Sequence, residues 1–385
     1  MSKNVIQQEA LELVRGRKRC GLGITMGGGK TLIGLQHMAE QFEPGDRFLV
    51  VAPKRSIFKS WEATAYEFGL AYLLPAIDFS TYLSLHKQPL NYKVVYLDEC
   101  HSLLHSHEAW LAKYQGVILG LTGTPPRFTM TEKGQMVERF CPIVYTYVTD
   151  EAVKDGILND YKIVVHHLKL DVRNTVKVTN RKTGQSWYTS EWESYRYWED
   201  RMEVNGGSNS KDIEWLRLQR MRVLMEFPSK VTYAKQLLVQ TSNKTIVFAN
   251  TQRQAEEICA YSYHASNLQS NRNLELFVKG EIQCLSSVSQ LNEGISIPDL
   301  KEGIILHAYS NERKTAQRIG RLLRLNPNEV ATAHVLCYDG TVDENWVQEA
   351  LHGFNGEKIF HYYPWKQKLF NFYGEQMDNG IILSG

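Results

Sequence analysis

Three glycines followed by lysine and threonine, in the stretch GITMGGGKTLIG (residues 23–34), have the makings of a phosphate cradle. Glycine backbone N–H groups can close around phosphate oxygens, Lys30 can reach them with its charge, and the Thr31 hydroxyl can hold Mg²⁺ where a helix begins. The longer pattern with an earlier glycine is not met, because Ile24 stands at that position. The shorter form Thr25-Met26-Gly27-Gly28-Gly29-Lys30-Thr31 fits; a flexible glycine turn is the plain alternative. YLDECH places Asp98 and Glu99 at the end of an apolar run. There one carboxylate can hold Mg²⁺ while its neighbour positions or deprotonates a water for attack on a γ-phosphate, although an ordinary acidic strand-to-loop junction looks the same. LTGTPP (121–126) offers hydroxyls after another apolar run. AQRIGRLLR (316–324) sets Arg318, Arg321 and Arg324 three apart on about one helix face, with Gln317 beside them. Such a face is either plain solvated charge or a set of arginines aimed at a phosphoryl transition state. His101 and His105 are four apart, as zinc ligands on a helix would be, but no third ligand has suitable spacing. His101 is therefore expected in the nucleotide network, and His105 and His107 in solvent.

The elements that must position these residues follow from periodicity. RFLVVAP, KVVYLDE and GVILGLTGTP are apolar runs ending at small or polar residues, interleaved with helical patterns. That rhythm predicts a parallel sheet with crossover helices, whose ligands bind at the carboxyl ends of the strands. The rhythm breaks after Tyr161. TVKVTNRKTGQSWYTSEW reads as a β-hairpin with its turn near 181–184, and IEWLRLQRMRVLMEF as a helix. KTIVFAN, IQCLSS, EGIILHA and ATAHVLCYD then predict a second α/β region, and the aromatic tail from Thr341 a small helical cap. The expected domains are 1–155, 156–340 with an insertion at 170–225, and 341–385.

Composition sets the bounds. A chain of 385 residues, 43% apolar, can bury two full cores. With 44 Lys+Arg against 42 Asp+Glu, the formal charge is only +2, so a polyanion would have to be held by local patches. The six cysteines contain no C-x-x-C pair and suit a reducing compartment. No run approaches eighteen apolar residues, and the N-terminus lacks a signal-peptide core, so a soluble, cytoplasmic, membrane-free protein is expected, monomeric, in a bacterium or in the host cell of a virus.

Taken in order, Lys30-Thr31, Asp98-Glu99-Cys100-His101, Thr122-Gly123-Thr124-Pro125 and Gln317-Arg318-Ile319-Gly320-Arg321-x-x-Arg324 resemble motifs I, II, III and VI of superfamily 2 helicases and translocases. VVAPKRSIFKSWEATA is similar to motif Ia, IVFANTQRQAEEI to motif IV and QLNEGISIP to motif V, so the likeness spans about Gln7 to Arg324. It implies an α/β fold of two RecA-like parallel-sheet domains in tandem, with a β-hairpin/helical insertion and a small C-terminal cap, hydrolysing ATP with Mg²⁺. On that resemblance, Gly27, Gly28, Gly29, Lys30 and Thr31 bind phosphate, Thr31 and Asp98 hold Mg²⁺, and Glu99 is the base. Gln7 reads adenine, while Gly294 and Arg318 contribute to the nucleotide site. Arg321 and Arg324 act as arginine fingers beside Gln317, and Thr122 and Thr124 couple hydrolysis to strand movement. Ser296 departs from the family's Gly-x-Asp-x-Pro pattern. Polynucleotide phosphate contacts fall to Lys54, Arg55, Thr81 and Thr251, with Arg181, Lys182 and Trp187 of the hairpin able to hold and stack a strand. The TGTP and QRIGR strings resemble phage-type branch-migration helicases and double-strand translocases more than DEAD-box RNA helicases. The implied activity is a DNA helicase or translocase of replication, recombination or repair. The competing readings are an RNA helicase, an ATP-gated binding protein, a duplex translocase that does not separate strands, and a P-loop enzyme of another kind such as a small-molecule kinase.

Overall fold

The computed structural model describes all residues except 1, 26, 180–182, 205–209, 289–296, 309–314, 316–317, 321, 323–328 and 379–385. Up to Asp160 the described chain forms one compact unit, and from Tyr161 a second.

The first unit is built on β1 (Arg19–Ile24), β2 (Phe48–Ala52), β3 (Ile77–Thr81), β4 (Val94–Asp98), β5 (Val117–Thr122) and β6 (Ile143–Tyr147). They pair in the order β3-β2-β4-β5-β1-β6, every neighbour parallel. All five residues of β2 and of β4 are buried, as expected of strands covered by helices on both faces. Among the covering helices are α1 (Lys3–Val14), α2 (Lys30–Gln41) and α3 (Ser56–Glu67). Gly34 of α2 lets Trp61 of α3 come close: a Cβ there would lie 2.6 Å from the indole ring. Because all six strands run the same way, the loops after β1, β4 and β5 open on one edge with those after β2 and β3.

The second unit contains β7 (Asp160–Leu168), the hairpin β8 (Val176–Thr179) and β9 (Ser186–Thr189), β10 (Thr245–Phe248), β11 (Ser262–Tyr263), β12 (Cys284–Ser287), β13 (Glu302–Ile305), β14 (Val330–Tyr338) and β15–β17 (Ile359–Tyr363, Lys368–Phe370, Gln376–Met377). The main sheet runs β11-β12-β10-β13-β14-β7-β15-β16-β17, while β8 and β9 pair with each other in a separate two-stranded sheet. After the hairpin come helices Glu191–Val204 and Ser210–Glu226, then Pro228–Gln240 packed into the core. The tail departs from the expected helical cap: it is helical over Val342–Leu351 and then adds three strands to the sheet. Aromatic, alternating IFHYY favours pairing against β7 over another helix.

Lys230 is fully buried, its ammonium donating to the Leu336 carbonyl at 2.9 Å, paired with Asp343 and lying 4.6 Å from the Tyr338 ring centroid. Lys230→Met should leave the Asp343 carboxylate uncompensated and cost about 3–5 kcal/mol, read as a fall in denaturation midpoint.

Several buried histidines couple the fold to pH. Burial drives His37, His167 and His334 down to about 4 from 6.5, with neighbouring His361 adding to the shift at His167 and Lys162 to that at His334. Below 6.5 the unfolded chain takes up protons that the native state refuses. Stability should therefore be complete above that value and fall as pH drops toward 4, with uptake of protons on unfolding measurable by calorimetry in buffers of different ionisation enthalpy.

Candidate nucleotide site

The loop after β1 is held at both ends. Thr25 N donates to the Tyr147 carbonyl at 2.9 Å and its hydroxyl meets that of Thr149 at 2.8 Å, while Gly28 N closes back on the Thr25 carbonyl. Gly27 and Gly29 take φ of 84° and 91°, the left-handed region that glycine enters freely. A Cβ on Gly29 would stand 2.1 Å from Gln7 Nε2, and one on Gly28 2.4 Å from Ile24 Cγ2. The positive φ at Gly27 and Gly29 and the close Ile24 contact at Gly28 favour glycine at all three positions. Lys30 opens α2, its ammonium donating to the Ile24 carbonyl at 3.2 Å, with Thr31 following in the first helical turn. Gln7 is buried with its amide against the Gly28 carbonyl at 3.4 Å, so it supports the loop directly.

At the end of β4 the Asp98 carboxylate is fixed from two sides. One oxygen accepts from Trp61 Nε1 at 2.7 Å and the other from Glu99 N at 2.9 Å, while Tyr82 donates to its backbone carbonyl at 3.0 Å. Glu99 adopts φ 50°, ψ 51°, left-handed backbone that a non-glycine residue holds only where its surroundings enforce it. Its Oε2 is buried, makes no hydrogen bond among the described residues, and lies 3.3 Å from His101 Nδ1. That nitrogen meets the Thr122 hydroxyl at 2.7 Å, and the same hydroxyl accepts from Thr124 N at 3.1 Å. The Thr124 hydroxyl is buried and makes no hydrogen bond among the described residues. A chain of contacts thus runs from the Glu99 carboxylate through His101 to the TGTP loop.

These features fit a nucleoside triphosphate with its Mg²⁺: a glycine cradle that a Cβ would fill, an ammonium over the loop, a held carboxylate, and two buried oxygens with hydrogen-bonding capacity left over. Trp61 escaped the sequence reading. The available signal was chemical: a buried indole N–H needs an acceptor, and strand-end carboxylates are where one is found. Trp61→Phe keeps the ring's bulk but removes the donor. It should lower ATPase kcat/KM by about tenfold, the scale of one hydrogen bond to a charged group, in a protein whose circular dichroism is unchanged.

The other expected residues are placed as follows. Lys54 and Arg55 follow β2 and Thr81 ends β3, on the sheet edge that carries the nucleotide loops. Thr251 follows β10 in the second unit, but its hydroxyl caps a helix by accepting from Gln254 N at 3.2 Å. Trp187 is exposed on β9. Arg318 is buried in the second unit, donates to the His307 carbonyl at 3.1 Å and lies 5.2 Å from the Phe248 ring centroid. His107 is likewise buried, accepting from Leu104 N at 3.0 Å and packed on Tyr82, and is not solvated. Arg181, Lys182, Gly294, Gln317, Arg321 and Arg324 lie outside the described residues.

Residues 1–127 match the family described as the res subunit of type III restriction enzymes, and residues 229–326 match the helicase conserved C-terminal domain. With the fold and the ordered motifs, these matches make the chain a superfamily 2 helicase/translocase protein. A DNA 3'-5' translocase XPB2 from Sulfurisphaera tokodaii is 24% identical over 132 residues, which are 32% of this chain and 30% of that protein. Among solved structures, the ATP-dependent type ISP restriction-modification enzyme LlaBIII bound to DNA aligns at TM-score 0.59 and 13% identity, over 92% of this chain and 30% of its own. A putative HsdR subunit fragment of a type I restriction enzyme from Vibrio vulnificus aligns at 0.58 and 18%, over 98% and 69%. The S. cerevisiae Dbp5 bound to RNA and ADP BeF3 aligns at 0.58 and 14%, over 94% and 90%. The likeness establishes the tandem RecA-like fold. The match to the curated translocase spans under a third of that protein's length. Among the described residues no helix is long and apolar enough to cross a membrane.

Proposed function

We propose that this protein is a nucleic-acid-dependent ATPase that translocates on or remodels DNA. The observation that carries the reading is the contact chain Glu99–His101–Thr122–Thr124, which ties the carboxylate at the end of β4 to the loop after β5. In the proposed mechanism the glycine loop and Lys30 hold the phosphates, Thr31 and Asp98 hold Mg²⁺, and Glu99 takes the proton of the attacking water. When bound, Mg²⁺ neutralises charge on the phosphates. Trp61 keeps Asp98 in one orientation, and His101 positions Glu99 and senses its charge, so that a change there reaches the Thr122–Thr124 loop. Gln317, Arg321 and Arg324 would supply positive charge to the transition state, and Lys54, Arg55 and Thr81 contacts to the polynucleotide backbone.

DNA is favoured over RNA by the printed activities of relatives: XPB2 is a DNA translocase and LlaBIII was solved on DNA. The RNA-bound Dbp5 neighbour keeps an RNA helicase as the second reading. ATP turnover measured alone and with single-stranded, duplex and forked DNA or the matching RNAs decides between them. DNA should stimulate turnover by tenfold or more. Stimulation by RNA alone would transfer the assignment to RNA, and turnover indifferent to any nucleic acid would remove the motor reading.

A further inference from the structure

We propose that the second unit holds a first-row divalent transition-metal ion between His167, Asp339 and Glu344. The three come from different elements: His167 near the end of β7, Asp339 directly after β14, and Glu344 in the first turn of the Val342–Leu351 helix. One donor atom from each lies within 4.8 Å of the others. His167 Nδ1 stands 3.4 Å from Glu344 Oε1. Two donors each about 2.1 Å from a tetrahedral ion are about 3.4 Å apart, so the His167–Glu344 edge is already at ligating distance.

A second, independent observation points to a ligand. The His167 side chain is 7% exposed, and its Nδ1 makes no hydrogen bond among the described residues. Its Nε2 meets His361 Nδ1 at 2.9 Å, and its ring stacks on Tyr363 with centroids 4.4 Å apart and planes 7° from parallel. A ligating histidine typically donates its other ring N–H to such a partner, which fixes both tautomer and orientation. If Nε2 carries the proton toward His361, the Nδ1 lone pair faces two carboxylates. A lone pair and two carboxylates turned on one point repel each other until a cation or a shared proton sits among them.

An imidazole with two carboxylates selects first-row ions over Mg²⁺ or Ca²⁺, which prefer all-oxygen shells. A cavity of about 450 Å³ lies beside two of the three donors, lined by His167 and Glu344 together with Val347, Leu351 and Phe354. The ion would staple the Val342–Leu351 helix to β7 and β14.

The test uses the full chain, stripped with a chelator and free of nucleotide, titrated with Co²⁺ and followed by visible absorption, with Zn²⁺ as competitor. One Co²⁺ per chain should bind, be displaced by Zn²⁺, and raise the melting temperature. His167→Gln and Glu344→Gln should each weaken binding by about tenfold or more, while Asp98→Asn should bind as the wild type does. Glu344 is 39% exposed at its side chain, so Glu344→Gln remains a fair test should His167→Gln fail to fold. Failure of folded wild-type protein to bind Co²⁺, or undiminished binding by Glu344→Gln, would overturn the site.

Discussion

Lys30→Ala should lose both ATP binding and turnover, whereas Glu99→Gln should lose turnover and keep binding. The two differ because the groups do different work. The Lys30 ammonium sits over the glycine loop, where it meets phosphate charge, and its removal takes away binding itself. Glu99 instead offers a buried oxygen with no hydrogen-bond partner among the described residues, held by left-handed backbone and 3.3 Å from His101. An amide of the same shape fills the same space but cannot take a proton, and loss of a general base costs about 10²–10⁴ in rate. Fluorescent-nucleotide binding and steady-state phosphate release on the same preparations separate the outcomes. Near-normal turnover in either variant, or lost nucleotide binding in Glu99→Gln, would remove the roles assigned here. A parallel His101→Ala variant should keep nucleotide affinity yet blunt DNA stimulation, since it cuts the link from Glu99 to Thr122.

The parts of this site legible in the sequence are those that parallel-sheet physics writes locally. A strand buried on both faces is a continuous apolar run, and its reactive residues must follow it, so Asp98-Glu99 after KVVYL and Thr122-Thr124 after GVILGL could be placed before any coordinates. The glycine loop was legible for the same local reason. What escaped depends on residues distant in sequence. Trp61 bonds Asp98 across 37 positions, and His167 meets His361 across 194, and no spacing rule reports such pairs. Helical spacing likewise does not report that Arg318 meets Phe248 and the His307 carbonyl. Short edge strands were missed too. IDFST (β3) lacks a long apolar run, and the aromatic tail adds its strands through pairing with β7, a partner almost 200 residues away.

Replacing residues 180–186 by a short Gly-Ser turn should leave DNA-stimulated ATPase within about twofold and strongly reduce unwinding of forked or four-way DNA, because stacked bases are worth about 1–3 kcal/mol each. The structure sorts the aromatics of this segment into anchors and exposed surface. Tyr195 is an anchor: it is buried in the second unit's core, and its hydroxyl accepts from Val342 N at 3.1 Å. Glu191 ties the root down as well, accepting from Asp171 N and from Ser229. Trp187 and Tyr188 on β9 remain 49% and 63% exposed, with Val178 opposite Trp187 and Lys177 opposite Tyr188. A separate two-stranded ribbon is marginal by itself, so its root must be held for its strands to keep their shape. Anchored below and aromatic above, with a basic residue opposite a tyrosine, the hairpin has the composition of a stacking wedge, and it is remote in sequence from Lys30 and Glu99. Trp187→Ala with Tyr188→Ala should reproduce the loss of unwinding without any change in the turn. Unwinding that survives both changes would make the hairpin a packing element only, and an ATPase that collapses along with unwinding would assign it to folding or to loading of the strand.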